Sequence, residues 1–198
     1  MPSPIGHALA GIAAAWIVDL VPGRRAWRTA PASASWYLRA RDGLTAACAA
    51  VAAAPDLDLV IHQHRTFMHS VGAAILVGLI GGAIAARRSR PIVRVALMCG
   101  AAYATHILLD WLGTDRAPPY GIQALWPFSD VWYLSNLDVF GPTERRAFLS
   151  VPALLLNTIT VVREIAILGP IVWGIWLVRV KALARLAAQL SRGDHPPQ

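Results

Sequence analysis

The sequence predicts an all-α fold, a membrane-embedded bundle of about five helices, on three observations. Hydrophobic residues make up 56% of the 198 residues and charged ones only 15%, whereas soluble domains carry about 25% charged residues. Mean hydropathy is +0.50. Apolar runs recur along the chain, and short arginine clusters sit at their ends, which is the membrane pattern. The same placement argues against a nucleic-acid partner despite the net charge of +7. The basic residues are not interleaved with aromatics along a polar face.

The first apolar segment runs from Ile5 to Val21, and Pro22 and Gly23 stop it. It lacks a basic n-region, so it reads as a retained helix and not a cleaved signal. A second helix is expected from near Trp36 to Pro55, with an apolar part short enough for a buried core helix. The third, Ser70 to Ala86, has about the minimum spanning length; Gly78, Gly81 and Gly82 give it a small-residue face for close packing. The fourth runs from Ile92 to Leu112. Residues 113–142 form a long loop rich in proline and aromatics, and such loops are more often functional than not. A short interfacial helix is expected over Thr143–Asn157, interrupted at Pro152. The last segment, about Thr160 to Val178, carries Pro170 and an expected kink. Residues 1–190 read as one domain and 191–198 as a flexible tail. Cys48 and Cys99 lie in apolar segments without a CxxC partner and read as packing residues.

Five crossings with the N-terminus outside place Arg24, Arg25, Arg28, Arg39, Arg41, Arg87, Arg88, Arg90, Arg94, Arg179, Lys181, Arg185 and Arg192 inside. That is 13 of the 18 basic residues, and only Arg65, Arg116, Arg145, Arg146 and Arg163 fall outside. The bias fits the positive-inside rule. The same topology brings His7, Asp56, Asp58, His62, His64, His69, His106, Asp110, Arg163 and Glu164, from five segments, to the outer level.

The densest part of that level is PDLDLVIHQHRTFMHS at 55–70, two carboxylates, three histidines and one arginine between apolar stretches. Unpaired charge there is costly, which makes it a candidate site. His106 and Asp110, four apart, share a helix face. The candidate metal ligands are His7, Asp56, Asp58, His69, His106 and Asp110, with one of the two aspartates alternatively orienting a histidine. His and carboxylate donors without Cys suit zinc, or manganese or iron, as one or two ions. Arg65 and Arg163 are candidate anion binders. Glu164 is a candidate base or orienter, alternatively a partner of Arg163, and His64 a candidate catalytic or supporting residue. Tyr120, Trp126 and Phe128 in the long loop are candidate substrate-binding residues, alternatively interfacial anchors.

IGHALAG at 5–11, PDLD at 55–58, HRTFMHS at 64–70, HILLD at 106–110 and YGIQALWPFS at 120–129 occur in this order. With the Arg163-Glu164 pair, they resemble the YdjM-like family of bacterial inner-membrane proteins, described as metal-dependent hydrolases. That family is thought to be distantly similar to zinc-dependent phospholipase C and the P1-type nucleases, which bind zinc through HxxxD and HxxxE pairs. HILLD matches the first pair. No HxxxE occurs in the last third of this chain, which favours one or two ions over three. The resemblance implies hydrolysis of a phosphoester in a membrane lipid or lipid-linked substrate. The rival expectation is a non-catalytic metal-binding membrane protein, a transporter or assembly factor.

The charge pattern makes a direct prediction. A cysteine replacing Ser89, in the turn flanked by Arg88 and Arg90, is expected to resist an impermeant thiol reagent in intact cells. Strong labelling from outside would overturn the topology.

Overall fold

A computed structural model describes residues 1–20, 43–61, 64–116, 118–145 and 147–191. Five helices form: α1 (Pro4–Leu20), α2 (Gly43–Ala53), α3 (Val71–Arg87), α4 (Ile92–Trp111) and α5 (Val151–Ser191). No named strand forms among the described residues, so the all-α expectation holds. The expected start of α2 near Trp36, the arginines from Arg24 to Arg41, His62, Arg146 and the tail beyond Ser191 lie outside the described residues.

The helix boundaries follow local chemistry. Ser3 caps α1, its Oγ accepting from the amide of Gly6 at 3.2 Å, and Pro4 takes the first helical position, where a missing N–H costs nothing. Ser70 caps α3, accepting from the amide of Ala73 at 3.1 Å. In α5 the outcome differs from expectation. Pro152 is the second residue of the helix and does not interrupt it, because the first turn has no intrahelical use for that N–H. Residues 147–150 are turn and bend, not an interfacial helix. The helix continues through Pro170 for 41 residues in all.

Among the described residues, two helices are long and apolar enough to cross a membrane, over Ile92–Leu112 and Val151–Lys181. The helices α1 and α3 are apolar but have 17 residues each, about 25 Å of rise. The described part of α2 has 11 residues, about 16 Å.

α1 and α4 are the hubs. α1 packs against α2, α4 and α5, and α4 packs against α1, α2 and α3. The core between them is built from small side chains, including Ala15, Cys48, Ala52, Ala85, Cys99 and Ala102, with Met98 as the largest filler. Close approach is obligatory at Gly11, where a Cβ would lie 2.4 Å from the Cβ of Ala52. The face of Gly78, Gly81 and Gly82 meets Ala96, Cys99 and Ile92 of α4 in the same manner. By contrast, α5 touches the bundle along one stripe, Ala153, Thr160, Glu164, Leu168 and Arg179, and its flanks, including Leu155, Val162 and Trp173, are exposed.

The hairpin of α3 and α4 sets the polarity of the bundle. Its Arg88–Arg90 turn lies at one end, and His69, His106 and Asp110 lie at the other. Asp19, at the far end of α1, joins the arginine end: its carboxylate is 3.6 Å from Arg94 Nε and 3.3 Å from Arg179 Nη2.

Replacing Gly11 by Ala is expected to destabilise the protein by about 1–3 kcal/mol through overpacking. Gly174 meets nothing within 4 Å, so Gly174→Ala is expected to be neutral or stabilising, by up to about 1 kcal/mol. Thermal melts in detergent give the comparison, and equal effects would refute this account of the α1–α2 contact.

Candidate metal centre

Four elements deliver the candidate ligands. His7 comes from the first turns of α1. Asp56 and Asp58 come from a 3-10 stretch, Ala54–Ile61, that follows α2 directly. His69 ends a short 3-10 turn just before α3. His106 and Asp110 lie on the last turns of α4. Tyr103, one turn earlier on α4, donates its hydroxyl to the carbonyl of Met68 at 2.6 Å and so ties the His69 segment to that helix.

His7, His69 and His106 are fully buried, and Asp58 and Asp110 nearly so. His69 Nε2 and His106 Nε2 lie 3.0 Å apart, and each lies 3.2 Å from Asp110 Oδ2. Asp56 Oδ1 faces the same two nitrogens at 4.0 and 3.9 Å. A tetrahedral zinc site with bonds of about 2.0–2.1 Å has ligand-to-ligand edges of about 3.3 Å. The His69–His106–Asp110 triangle matches one face of that tetrahedron, and Asp56 stands near the fourth corner.

The atoms behind the triangle orient it. His106 Nδ1 lies 2.8 Å from the carbonyl of Ala52, which fixes the proton on Nδ1 and leaves Nε2 as a lone pair. His69 Nδ1 lies 3.1 Å from Asp58 Oδ2. Asp58 Oδ1 takes His64 Nδ1 at 2.7 Å. Of the two aspartates, Asp58 therefore bonds His64 and stands beside His69, whose Nδ1 makes no hydrogen bond, and Asp56 faces the triangle. His7 stacks on His106, ring centroids 3.7 Å apart, with Nε2 3.5 Å from Asp110 Oδ1. Neither of its ring nitrogens, nor either Asp110 oxygen, makes a hydrogen bond. Buried polar atoms are seldom left so, and an ion is one of the few explanations.

Titration points the same way. Burial works against charge on His69, but Asp110 and Asp58 outweigh it and raise its pKa to about 9. Burial raises the Asp58 carboxyl, yet the bonds to His64 and His69 hold it at about 2. The pocket stabilises positive charge at its centre, which a proton or a metal ion supplies. Two ligand groupings emerge, His7 with His106 and Asp110, and Asp56 with His64 and His69, each with donor atoms within 4.8 Å of one another.

Other expected site residues fall elsewhere. Arg65 Nη1 is 2.5 Å from Asp115 Oδ2 and donates to the carbonyl of Pro119 at 3.2 Å. It pins the long loop to the polar segment and is not brought to the triangle. Arg163 is exposed and donates to the carbonyl of Asp138 at 2.8 Å, because its α5 face points away from the bundle. Glu164 neither pairs with Arg163 nor joins the ligands. Its carboxylate accepts from Ser3, from the amide at 2.6 Å and from the hydroxyl, and so buttresses the cap of α1. A Cβ on Gly6 would lie 2.7 Å from Glu164 Cδ, so the glycine beside His7 admits that carboxylate. Tyr120, Trp126 and Phe128 are exposed, and the Trp126 ring lies 6.1 Å from Phe67, two residues before His69.

Arg145 is the residue that sequence reasoning passed over. Its guanidinium donates from Nη2 to Asp56 Oδ1 and from Nη1 to His64 Nε2, each at 3.3 Å. The signal available was weak: a basic residue on the side of the chain poor in them.

A family description matches most of the chain. A sequence model for the YdjM inner membrane protein covers residues 1–185. The chain belongs to the YdjM inner membrane protein family. No curated protein and no solved structure matches it.

Replacing His69, His106 or Asp110 by Ala is expected to strip the ion. Asp58→Asn acts through His69 and His64 and is expected to weaken affinity by about 10–100-fold, as for other residues behind a ligand. Arg163→Gln is expected to leave it unchanged. Elemental analysis with chelator competition reads all five. Full metal content in the first three would dismiss the centre.

Proposed function

We propose that this family member is a metal-dependent hydrolase of the inner membrane, acting on a phosphoester in a lipid or lipid-linked substrate. The observation that carries the reading is the buried triangle of His69 Nε2, His106 Nε2 and Asp110 Oδ2 with edges of 3.0 to 3.2 Å. The donor set of imidazole and carboxylate suits zinc, with manganese or iron as alternatives, and the two groupings admit one or two ions. An ion held there would supply Lewis acidity toward a phosphoryl oxygen and toward water.

The chain's own residues do the rest. His69, His106 and Asp110 hold, Asp58 and the Ala52 carbonyl orient, and Asp56 closes the open face. His64 has its Nδ1 on Asp58 at 2.7 Å and its Nε2 between Met1 Sδ at 2.9 Å and Arg145 Nη1 at 3.3 Å. The carboxylate sets its tautomer, and in this arrangement His64 supports the centre by joining Asp58 to Arg145. We place the site at the periplasmic end of a multi-pass bundle, supported by the arginine-rich turn at the opposite end.

The transporter reading has less support. Between the His/Asp end and the Asp19–Arg94–Arg179 end, the described core is apolar, from Ala15 and Ala52 to Met98 and Ala102. A polar route is not evident among the described residues.

Zinc-loaded protein in detergent is expected to release phosphate or a phosphorylated head group from a panel of phospholipids and prenyl phosphates. His106→Ala is expected to fall to the uncatalysed background. Stable metal binding with no turnover on the whole panel would favour a non-catalytic metal-binding protein.

A further inference from the structure

The hydrolase reading leaves open what recognises the substrate, since Arg65 and Arg163 are both occupied elsewhere. We infer that Arg145 is the substrate-binding cation, taking the phosphate of an amphiphilic substrate at the mouth of the His/Asp centre. The inference rests on the reading above for the chemistry, but its own evidence is separate.

Arg145 reaches the centre at its accessible edge. Its side chain is 31% exposed, and that of Asp56 is 11% exposed, whereas His69, His106 and Asp110 are sealed. His64 Nδ1 is committed to Asp58, so its Nε2 accepts from Arg145 Nη1. The Nη2 contact goes to Asp56 Oδ1, the same oxygen that faces His69 Nε2 and His106 Nε2. An anion on this guanidinium is thus one carboxylate oxygen away from the ligand triangle. The described contacts use two of the five N–H donors that a guanidinium carries. The planar fork suits bidentate binding of phosphate oxygens, and lysine does not reproduce it.

The surroundings specify more than a phosphate. Leu57 follows Asp56 directly and is 67% exposed, and Phe148, Leu149 and Val151, three to six residues beyond Arg145, are 58, 76 and 77% exposed. Large apolar side chains are thus the sequence neighbours of Asp56 and of the one guanidinium that touches the centre among the described residues. That combination fits a charged phosphate head joined to a hydrocarbon chain, with the chain on the Leu57 and Phe148–Val151 lip.

The test is binding, which requires no turnover. Zinc-loaded full-length protein in detergent is titrated with inorganic phosphate and with dihexanoyl phosphatidic acid, for wild type, Arg145→Gln, Arg145→Lys, Arg163→Gln and Leu149→Ser. Metal content is measured for each. Arg145→Gln is expected to weaken both ligands at least tenfold with metal content unchanged, Arg145→Lys to recover part of the loss, and Arg163→Gln to match wild type. Leu149→Ser is expected to weaken the lipid and spare inorganic phosphate; equal effects on both would reduce the ligand to free phosphate and overturn the amphiphile. Wild-type affinity in Arg145→Gln would overturn the assignment. Loss of zinc in that variant would also overturn it, making Arg145 a counter-ion for Asp56. Phosphate binding through Arg145 without hydrolysis of any substrate would remove the hydrolase reading and leave this one standing.

Discussion

Two imidazole nitrogens and a carboxylate oxygen pressed to within 3.2 Å of one another, in a place sealed from water, are the constraint on which the rest of this structure depends. Two imidazole lone pairs beside a carboxylate oxygen would repel unless a proton or an ion lay between them. Desolvation of the carboxylate adds several kcal/mol of penalty unless it is paired. A proton on a ring nitrogen or a divalent ion makes the arrangement favourable. The surrounding contacts hold these side chains in place: the Ala52 carbonyl behind His106, Asp58 beside His69, and the His7 ring stacked on His106.

The bundle is built to hold those atoms still. His7 sits one residue from Gly6, and Glu164 fills the space that glycine leaves while gripping the cap at Ser3. α5, which otherwise shows its flanks to the surroundings, is therefore coupled to the ligand on α1 through one buried carboxylate. Gly11 lets α1 settle on α2, and this contact places the end of α2, with the Ala52 carbonyl, against His106. The small-residue packing of α3 on α4 brings His69 to His106 and Asp110. Backbones approach this closely only where side chains are absent or small, as is common where apolar helices pack in lipid.

Several parts of the site could be read from residues alone because they are local. His106 and Asp110 share a face by helix periodicity, and Asp56, Asp58, His64 and His69 fall within one short polar segment. Their convergence with His7 on one level followed from placing the arginine clusters together at the other end. The roles of Arg65, Arg163 and Glu164 were not legible, because each depends on which way a side chain turns and on a partner 25 to 161 residues away in sequence. Arg145 was hidden for the same reason: its partners, Asp56 and His64, are 89 and 81 positions away. Nor did Pro152 break its helix, since helix position and not residue type decides what a proline costs.

The sequence by itself determined the helical class, the membrane-like composition, the polarity of the bundle and the pool of candidate ligands. These are set by periodicity, by hydropathy and by the distribution of charge, all of which act along the chain. Tertiary structure alone decided which carboxylate faces the centre and which stands behind a histidine, and which arginine reaches it. Those choices come from contacts between distant segments, where differences of an ångström separate a ligand from its support.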